Sequence, residues 1–295
     1  MFIDQLGILK GEHCKRMKIY PPERIVCLTE ETVETLYLLG EQDRIVGVSG
    51  YAVRPKQVRK EKPRVSAFTS ADIPKILDLN PDLVLAFSDL QAEIASSLIQ
   101  AGVTVMTYNQ RDIAGILAMI QHLGATVGQE QRAIKLVNQY KSRLANIRSQ
   151  VEGRPPLKVY FEEWDDPMIS GIKWVSELIE IAGGTDIFPN YANQAAAKDR
   201  FVTSNEVILA APDVILASWC GKKVRPEKIA NRPGWDSIPA IQNGRIKEIK
   251  SPLILQPGPA ALTDGLDCIV EAPVSYTHLR AHETEADLVC RLLLE

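Results

Sequence analysis

The longest regular pattern of apolar and polar positions lies in residues 129–151. Its apolar residues recur at alternating intervals of four and three, at Ala133, Val137, Tyr140, Leu144, Ile147 and Val151. This spacing places them on one stripe of an α-helix and leaves the other faces to charged and amide side chains. Gly128 precedes the segment, Gly153 follows it, and no Gly or Pro interrupts it. The pattern therefore predicts one unbroken helix, roughly 35 Å long.

A repeated pattern flanks this helix. Residues 75–87 (KILDLNPDLVLAF) and 206–218 (EVILAAPDVILAS) each combine a helix end, a Pro-Asp turn and an apolar strand, 131 positions apart. Residues 34–40 and 177–183 form a second pair, 143 positions apart. Repeats at this distance are typical of duplicated domains, so we interpret residues 129–151 as a linker helix between two lobes. From periodicity alone, a long helix within a single core is the alternative.

Strand and helix patterns alternate in both lobes, which predicts an α/β fold with a parallel sheet in each lobe. Strands are predicted at 24–28, 44–48, 83–87, 104–108, 157–161, 214–218 and 246–249. Helices are predicted at 113–123, 175–182, 204–211 and 259–270, with others starting near Thr29 and Ser70 and a loop at 51–64. Ser88 and Gln91 predict a capping box. The predicted parts are a leader (1–21), an N-terminal lobe (22–128), the linker helix (129–151), a C-terminal lobe (152–272) and a tail (273–295).

Composition narrows the possible functions. The chain has 295 residues, 45% of them hydrophobic, which is enough for two cores of ordinary size. Its 34 basic residues are balanced by 37 acidic ones, and no basic run interleaves with aromatics, so we expect no nucleic-acid partner. The motifs GxGxxG, GxxxxGK[ST] and GxSxG do not occur, and outside the tail the only histidines are His13 and His122. We therefore expect neither an enzyme nor a catalytic cofactor.

The two ends of the chain and its cysteines indicate a location. The N-terminal residues lack a secretory pattern, and the five cysteines are scattered without a CxxC pair. We expect a cytoplasmic monomer with reduced thiols, and a periplasmic protein only if the native N-terminus is missing. The tail, PVSYTHLRAHETEADLVCRLLLE, is interpreted as non-native, and its HETEA segment lacks the second histidine of a zinc motif.

A cluster of carboxylates, EEWDD, occupies residues 162–166, where a strand is predicted to end. In an extended chain Glu163 and Asp165 would share one face, about 6.6 Å apart, a spacing that suits acid–base catalysis or a hard cation. A solvated loop and polar contacts to a ligand are the alternatives. Trp164, within this cluster, would offer a flat apolar face to a macrocycle. Tyr51, Phe68, Phe87 and Trp219 also follow or flank predicted strand ends.

Several segments together resemble the cobalamin and iron-siderophore substrate-binding proteins of ABC importers. They are ERIVCLTEETVETLYLLGEQDRIVGVSGY, NPDLVLAFS, SELIEIAGG, APDVILAS and RPGWDSIPAIQNGR, and the resemblance covers residues 22–272. YFEEWDDPMISGIKWVSELIEIAGG and SWCGKK are similar to a leaderless branch described as cobalamin-binding. The resemblance implies two Rossmann-like lobes joined by one rigid helix, with the ligand held between them.

The resemblance also implies which residues bind the ligand. Tyr51, Phe68 and Phe87 match aromatic positions of the family's cleft, and Gln256 matches a region of polar contacts. The predicted ligand-binding set, with no catalytic or metal-ligating residue, is Thr29, Glu30, Tyr51, Phe68, Phe87, Ser88, Trp164, Asp165, Trp219 and Gln256.

One departure from the family concerns docking to a permease. Pro74 and Asn205 stand where each lobe of the family offers a glutamate to the permease, although Asp72 and Glu206 lie nearby. We therefore expect a non-catalytic binder of a cobalamin-like corrinoid, or of a related metal-bearing macrocycle. The alternatives are a cytosolic enzyme or chaperone acting on a tetrapyrrole or metallocofactor, and an iron-siderophore-binding component of an ABC importer.

Overall fold

The structure is a computed structural model that describes residues 20–272. The predicted tail, and the predicted leader apart from Tyr20 and Pro21, lie outside the described residues. Within residues 20–272, no helix is both long and apolar enough to cross a membrane.

The N-terminal lobe is built on a five-stranded parallel sheet with strand order β3-β2-β1-β4-β5. Its strands are β1 Ile25–Cys27, β2 Ile45–Ser49, β3 Arg64–Ser66, β4 Leu83–Phe87 and β5 Val105–Tyr108. Its helices are α1 Glu30–Leu38, α2 Val58–Glu61, α3 Ile73–Asp78, α4 Ala92–Gln100 and α5 Ile113–Thr126. The predicted loop at 51–64 is wrong in part, because it contains α2 and the first residue of β3. Both are too short to show a period in the sequence.

The predicted linker helix is confirmed as α6, Glu130–Val151, with Gln129 as its N-cap. Its apolar stripe is buried, apart from the half-buried Ile147. The stripe does not separate two independent cores. Residues of the first lobe, of α6 and of the second lobe belong to one contiguous buried cluster, as Val33, Leu144 and Leu262 illustrate. The composition suggested two cores, but α6 joins part of each lobe into this shared cluster, and each lobe also has a second buried cluster of its own.

The C-terminal lobe contains a mixed sheet with strand order β10-β9-β6-β7 and β8 paired to β6. Its strands are β6 Lys158–Asp165, β7 Met168–Ser170, β8 Thr185–Asp186, β9 Val214–Ala217 and β10 Ile246–Glu248. Its helices are α7 Lys173–Ile181, α8 Pro189–Ala192, α9 Ser204–Ala210, α10 Pro226–Ala230, α11 Pro239–Gln242, α12 Ser251–Ile254 and α13 Leu266–Val270, with a π-helix at Ala261–Gly265.

The prediction of two parallel sheets needs one correction. The sheet of the first lobe is parallel, but β7 runs antiparallel to β6 and forms a hairpin with it. This pairing also extends β6 to Asp165, four residues beyond its predicted end at Phe161. The hairpin could not be predicted, because β7 is only three residues long and shows no period.

Candidate ligand-binding cleft

The first wall of the candidate cleft is the carboxyl edge of the N-terminal sheet. Along the chain, β2 and β3 are added on one side of β1, whereas β4 and β5 are added on its other side. The direction in which strands are added therefore reverses between β1 and β4. In open α/β sheets, ligands bind beyond the strand ends at such a reversal. Thr29 and Glu30 follow β1 there, and Phe87 and Ser88 end β4. The structure thus brings four of the predicted site residues to one point.

Gln91 fixes the loops around this point, although the sequence suggested another role for it. Its fully buried side chain accepts a hydrogen bond from Phe87 N (2.9 Å) and donates to Phe68 O (2.8 Å) and Leu28 O (3.3 Å). The Gln91 side-chain amide therefore forms hydrogen bonds with the backbone at the ends of three strands. The predicted capping box with Ser88 is wrong, because Gln91 turns inward while Ser88 Oγ accepts from Leu90 N alone.

The second wall is the carboxyl edge of the C-terminal sheet. Here the strand order changes direction between the neighbours β6 and β9. Glu162 to Asp165 end β6, and Trp219 follows β9 closely. Glu162 and Asp165 are buried, so the alternative of a solvated loop is wrong.

Each of the three carboxylates within β6 faces a cation. Glu162 binds Arg232 and accepts from Trp219 Nε1 (3.0 Å). Glu163 receives two hydrogen bonds from Arg200 (2.6 and 3.0 Å). These pairs neutralise carboxylates whose burial as free charges would be strongly unfavourable.

Asp165, the third of these carboxylates, binds Lys222 (2.8 and 2.9 Å) and Lys228. Burial alone would raise the pKa of Asp165, but the hydrogen bonds and charges of the two lysines together hold it below its usual value. Within residues 20–272, no group of three or more His, Cys, Asp or Glu residues is placed to hold a metal ion.

The aromatic residues of the C-terminal wall differ in exposure. Trp164 is half-buried and donates its indole N–H to Asp166 O (3.0 Å), with Lys222 Nζ 5.0 Å from its ring. Trp219 is 1% exposed and packs in the second lobe's core, with Lys222 Nζ 4.9 Å from its ring. Trp164 can therefore offer a face to a ligand, whereas Trp219 would need to move. A ligand contact at Trp219 stays a prediction.

The aromatic residues of the N-terminal wall also differ in solvent exposure. Phe87 is 4% exposed, and the guanidinium of Arg111 lies 4.9 Å from its ring centroid. Phe68 is half-buried, whereas Tyr51 is 51% exposed at the outer edge. Arg111 was not expected from the sequence, because the segment between Tyr108 and α5 carries no strand or helix signal.

Charges from both lobes affect the pKa values of two side chains near the strand ends. Burial raises the pKa of the Cys220 thiol, and the charges of Glu30 in the first lobe and Glu163 in the second raise it further. Burial also lowers the pKa of Arg111 in the first lobe, with Arg200 and Glu163 of the second lobe among the charges acting on it.

At one end of the cleft the lobes touch directly, through residues 256–260. Gln256 Nε2 donates to Glu30 Oε1 (3.2 Å), Gln110 Nε2 donates to Pro257 O (3.0 Å), and Ala260 N donates to Glu34 Oε2 (3.0 Å). Gly258 lies so close to α1 that a Cβ built on it would be 2.4 Å from Glu31 Cβ. We call residues 256–260 the inter-lobe segment.

Two adjacent carboxyls are buried under this segment. Burial raises the pKa of Glu30 to about 7. Burial and the neighbouring charge of Glu30 raise the pKa of Glu31 to about 8, against the lowering effect of a hydrogen bond from Thr29 Oγ1 (2.7 Å). Glu30 Oε2, Gln110 Oε1 and Ser218 Oγ are buried and have no hydrogen-bond partner among the described residues. Acidic residues at a helix start usually indicate capping, so the sequence did not reveal this burial.

Asp72 and Glu206, the acidic residues near Pro74 and Asn205, both take part in capping the N-terminus of a helix. Asp72 caps α3 by accepting from Lys75 N (3.0 Å). Glu206 completes a capping box with Thr203 (2.7 Å to both N and Oγ1) and accepts from Tyr191 Oη (2.8 Å). Pro74 and Asn205 are exposed. A permease contact by Glu206 would compete with three existing hydrogen bonds.

Comparisons with known proteins identify the class. The sequence profile of the periplasmic binding protein family matches residues 25–253. The chain belongs to this family, a family of solute-binding proteins rather than enzymes, as the sequence predicted.

Individual relatives support the same class. A vitamin B12-binding protein of Vibrio cholerae is 28% identical over 258 residues, which cover 83% of this chain and 87% of that protein. An uncharacterized ABC transporter substrate-binding lipoprotein of Bacillus subtilis is 28% identical over 267 residues, covering 85% and 80%.

Solved structures agree with these relatives. The periplasmic vitamin B12-binding protein of Vibrio cholerae superposes with a TM-score of 0.69 at 26% identity, over 85% of this chain and 96% of that one. A periplasmic haem-binding protein of Roseiflexus superposes with a TM-score of 0.72 at 25% identity, over 85% and 98%. The two-lobed α/β fold and the substrate-binding class are therefore confirmed.

Proposed function

We propose that this protein binds a corrinoid of the cobalamin type in the cleft between its lobes and carries out no chemistry on it. The observation that supports the proposal is a strand-order reversal in the sheet of each lobe, with Phe87 and Phe68 near one reversal and Trp164 near the other. Flat apolar side chains around a cleft suit a large macrocycle. The similarity to vitamin B12-binding proteins supports the same ligand.

The polar groups of the cleft are consistent with this ligand. The carboxylates of β6 are paired with cations, so they present little net charge to the cleft. Glu30, Gln110 and Ser218 each have a buried oxygen atom without a hydrogen-bond partner among residues 20–272, and a ligand donor could bind there. The amide side chains of a corrinoid supply the matching donors, whereas a polycarboxylate ligand does not.

The test is a calorimetric titration with cyanocobalamin. Trp164→Ala removes an aromatic face that is not part of the deep core, so binding should weaken by roughly 1 to 3 kcal/mol while the melting temperature changes little. Trp164→Phe keeps a flat apolar face and serves as the matched control, with binding close to native. No binding by the native chain at millimolar cyanocobalamin, or equal binding by Trp164→Ala, would contradict the proposal.

One observation favours haem as a second candidate. Arg111 lies over Phe87 at the first wall, where its guanidinium could pair with a ligand carboxylate. Haem carries two carboxylates and cobalamin carries none. If haem is the ligand, Arg111→Gln should weaken haem binding by about tenfold or more, the equivalent of one charge-assisted hydrogen bond. If cobalamin is the ligand, the same variant should bind it almost as well as the native chain.

We also propose that the protein acts in the cytoplasm as a monomer and docks to a permease weakly or not at all. The free thiols of Cys27, Cys220 and Cys268 support a reducing location. The capping role of Glu206 supports weak docking. Cell fractionation with an antibody against the native protein tests the location, and recovery in the periplasmic fraction would contradict it.

A further inference from the structure

Lys222 and Lys228 bind the same buried carboxylate at the second wall of the candidate cleft. Lys222 Nζ lies 2.8 and 2.9 Å from the two carboxylate oxygens of Asp165, and Lys228 Nζ binds Oδ2 of the same group. The Asp165 side chain is 1% exposed, whereas those of the two lysines are 43% and 51% exposed. Both ammonium groups are therefore anchored by a buried group and remain accessible to a ligand.

The fold fixes the position of this lysine pair. Asp165 is the last residue of β6, and Lys222 lies in the turn after β9, where its backbone N–H donates to Trp219 O (3.1 Å). Lys222 Nζ is 5.0 Å from the ring centroid of Trp164 and 4.9 Å from that of Trp219, within cation–π distance of both. Lys228 Nζ, from α10, is 5.8 Å from the Trp219 centroid. The pair is thus held beside the carboxyl ends of two neighbouring strands, where ligands of α/β sheets bind.

The charge of Asp165 alone does not account for two lysines. Lys222 reaches both carboxylate oxygens, so the charge of Asp165 is already matched without Lys228. The second lysine places two like charges close together, which Coulomb repulsion disfavours. Glu162 and Glu163, the other carboxylates of β6, each have an arginine of their own. One ammonium charge of the pair is therefore in excess over the carboxylate that it contacts.

The pair also has hydrogen-bond donors that the protein does not use. An ammonium group carries three N–H donors. Within residues 20–272, the side-chain hydrogen bonds of Lys222 and Lys228 all go to Asp165, two from the first lysine and one from the second, and none goes to the neighbouring Asp166. The remaining N–H groups, together with the excess charge, suit an oxyanion that has several acceptor oxygens.

We infer that Lys222 and Lys228 bind the phosphodiester group of a corrinoid ligand. They would thereby select a complete corrinoid over one that lacks the side chain carrying the phosphodiester and its base. The inference rests on the proposed function, because it requires the macrocycle to lie against Trp164, beside Lys222. The phosphodiester of cobalamin is attached at the edge of the macrocycle, so a cation beside the indole can reach it while the ring packs on Trp164. Lysine binds phosphate well as a point charge.

The experiment measures the calorimetric affinity for three probes. Cyanocobalamin carries the phosphodiester, cyanocobinamide keeps the corrin ring and its amides without the phosphodiester, and haem carries carboxylates instead. The readout is the ratio of the affinity for cyanocobalamin to that for cyanocobinamide. A general loss of folding or of packing on Trp164 lowers both affinities and leaves this ratio unchanged.

The variants are chosen so that Asp165 keeps a partner. Lys228→Gln leaves Asp165 with Lys222, and Lys222→Gln leaves it with Lys228, so both variants should fold. Lys228→Arg keeps the positive charge. Lys223→Gln removes a neighbouring exposed lysine and is the matched control for a change in net charge.

The inference predicts that Lys228→Gln and Lys222→Gln each lower the affinity ratio by about tenfold, the effect of losing a charge-assisted hydrogen bond. Lys228→Gln should bind cyanocobinamide like the native chain. Lys228→Arg and Lys223→Gln should both keep the native ratio. Added salt should lower the affinity of the native chain for cyanocobalamin more than that of Lys228→Gln, because it screens the charge pair.

Three results would overturn the inference alone. The first is an unchanged ratio in Lys228→Gln, and the second is an equal loss in Lys223→Gln, which would indicate a general effect of positive charge. The third is a Lys228→Gln variant that binds haem more weakly but cyanocobalamin like the native chain, which would assign the pair to a carboxylate. Failure of the native protein to bind either corrinoid would contradict the proposed function itself, so the two failures are distinguishable.

Discussion

The buried pair Glu30 and Glu31 makes the stability of this protein sensitive to pH. Both carboxyls lie under the inter-lobe segment, and their folded-state pKa values of about 7 and about 8 exceed the ordinary value of 4.5. A carboxyl with a raised pKa stabilises the fold fully while it is protonated, below about pH 4.5. That contribution is lost as the pH rises through the folded-state pKa. Stability should therefore fall between about pH 4.5 and pH 8.

Glu31→Gln tests this dependence, because glutamine keeps the acceptor for Thr29 Oγ1 and cannot ionise. A shift from 4.5 to about 8 corresponds to roughly 5 kcal/mol of stability lost by the native chain over this window. The variant should lose less by an amount of that order, so it should be the more stable protein at pH 9. Glu152→Gln, at an exposed position at the end of α6, is the matched control and should follow the native chain.

The assay is urea denaturation of the three proteins at pH 4.5 and pH 9, monitored by tryptophan fluorescence. The free energies of unfolding at the two pH values give the pH dependence of each protein directly. Equal losses in the native chain and in Glu31→Gln would refute the reasoning. That result would mean that Glu31 is solvated or paired in solution.

Four further predictions concern the stability and rigidity of the fold. Gly258→Ala places a methyl group 2.4 Å from Glu31 Cβ and 3.1 Å from its Cα, so it should destabilise the fold by about 1 to 3 kcal/mol. Urea denaturation measures this loss, and an unfolding midpoint equal to that of the native chain would contradict the close approach. Thr203→Ala removes the capping box of α9 and should lower stability by about 1 kcal/mol, while Thr203→Ser should retain most of it. Glycines at Asn138 and Gln139, on the exposed side of α6, should lower stability by roughly 2 kcal/mol. Small-angle scattering should show a native radius of gyration that stays constant on ligand binding, and a decrease of several ångströms would show that α6 is not a rigid spacer.

The linker helix and the central strands could be predicted, because each produces a pattern of apolar residues within a short stretch of sequence. Helix α6 extends over 22 residues, and its buried residues lie at the positions that the apolar period predicts. The strands β4 and β9 are continuous apolar runs, the pattern typical of strands covered on both faces. Strand β7 escaped prediction because three residues carry no period, and its existence depends on pairing with β6.

For the candidate site, the sequence predicted its location at the strand ends but not the contacts of its side chains. The rule that ligands bind beyond the carboxyl ends of parallel strands predicts Thr29, Phe87 and Trp164 at the site. In the structure these residues lie at strand ends or close to them, and their contact with a ligand stays a prediction. The partners of the carboxylates could not be predicted, because Arg200 and Arg232 lie 37 and 70 positions along the chain from Glu163 and Glu162. The role of Gln91 was hidden for the same reason, since one of its acceptors, Leu28, is 63 positions away.

The central claim is that a corrinoid lies between the two sets of strand ends. A crystal structure of the native protein saturated with cyanocobalamin tests it most directly. The account predicts density for the macrocycle between the ends of β1 and β4 on one side and of β6 and β9 on the other, in contact with Trp164 and within reach of Glu30. Density for the macrocycle elsewhere, such as along the exposed side of α6, or a cleft without ligand at saturating cyanocobalamin, would contradict it.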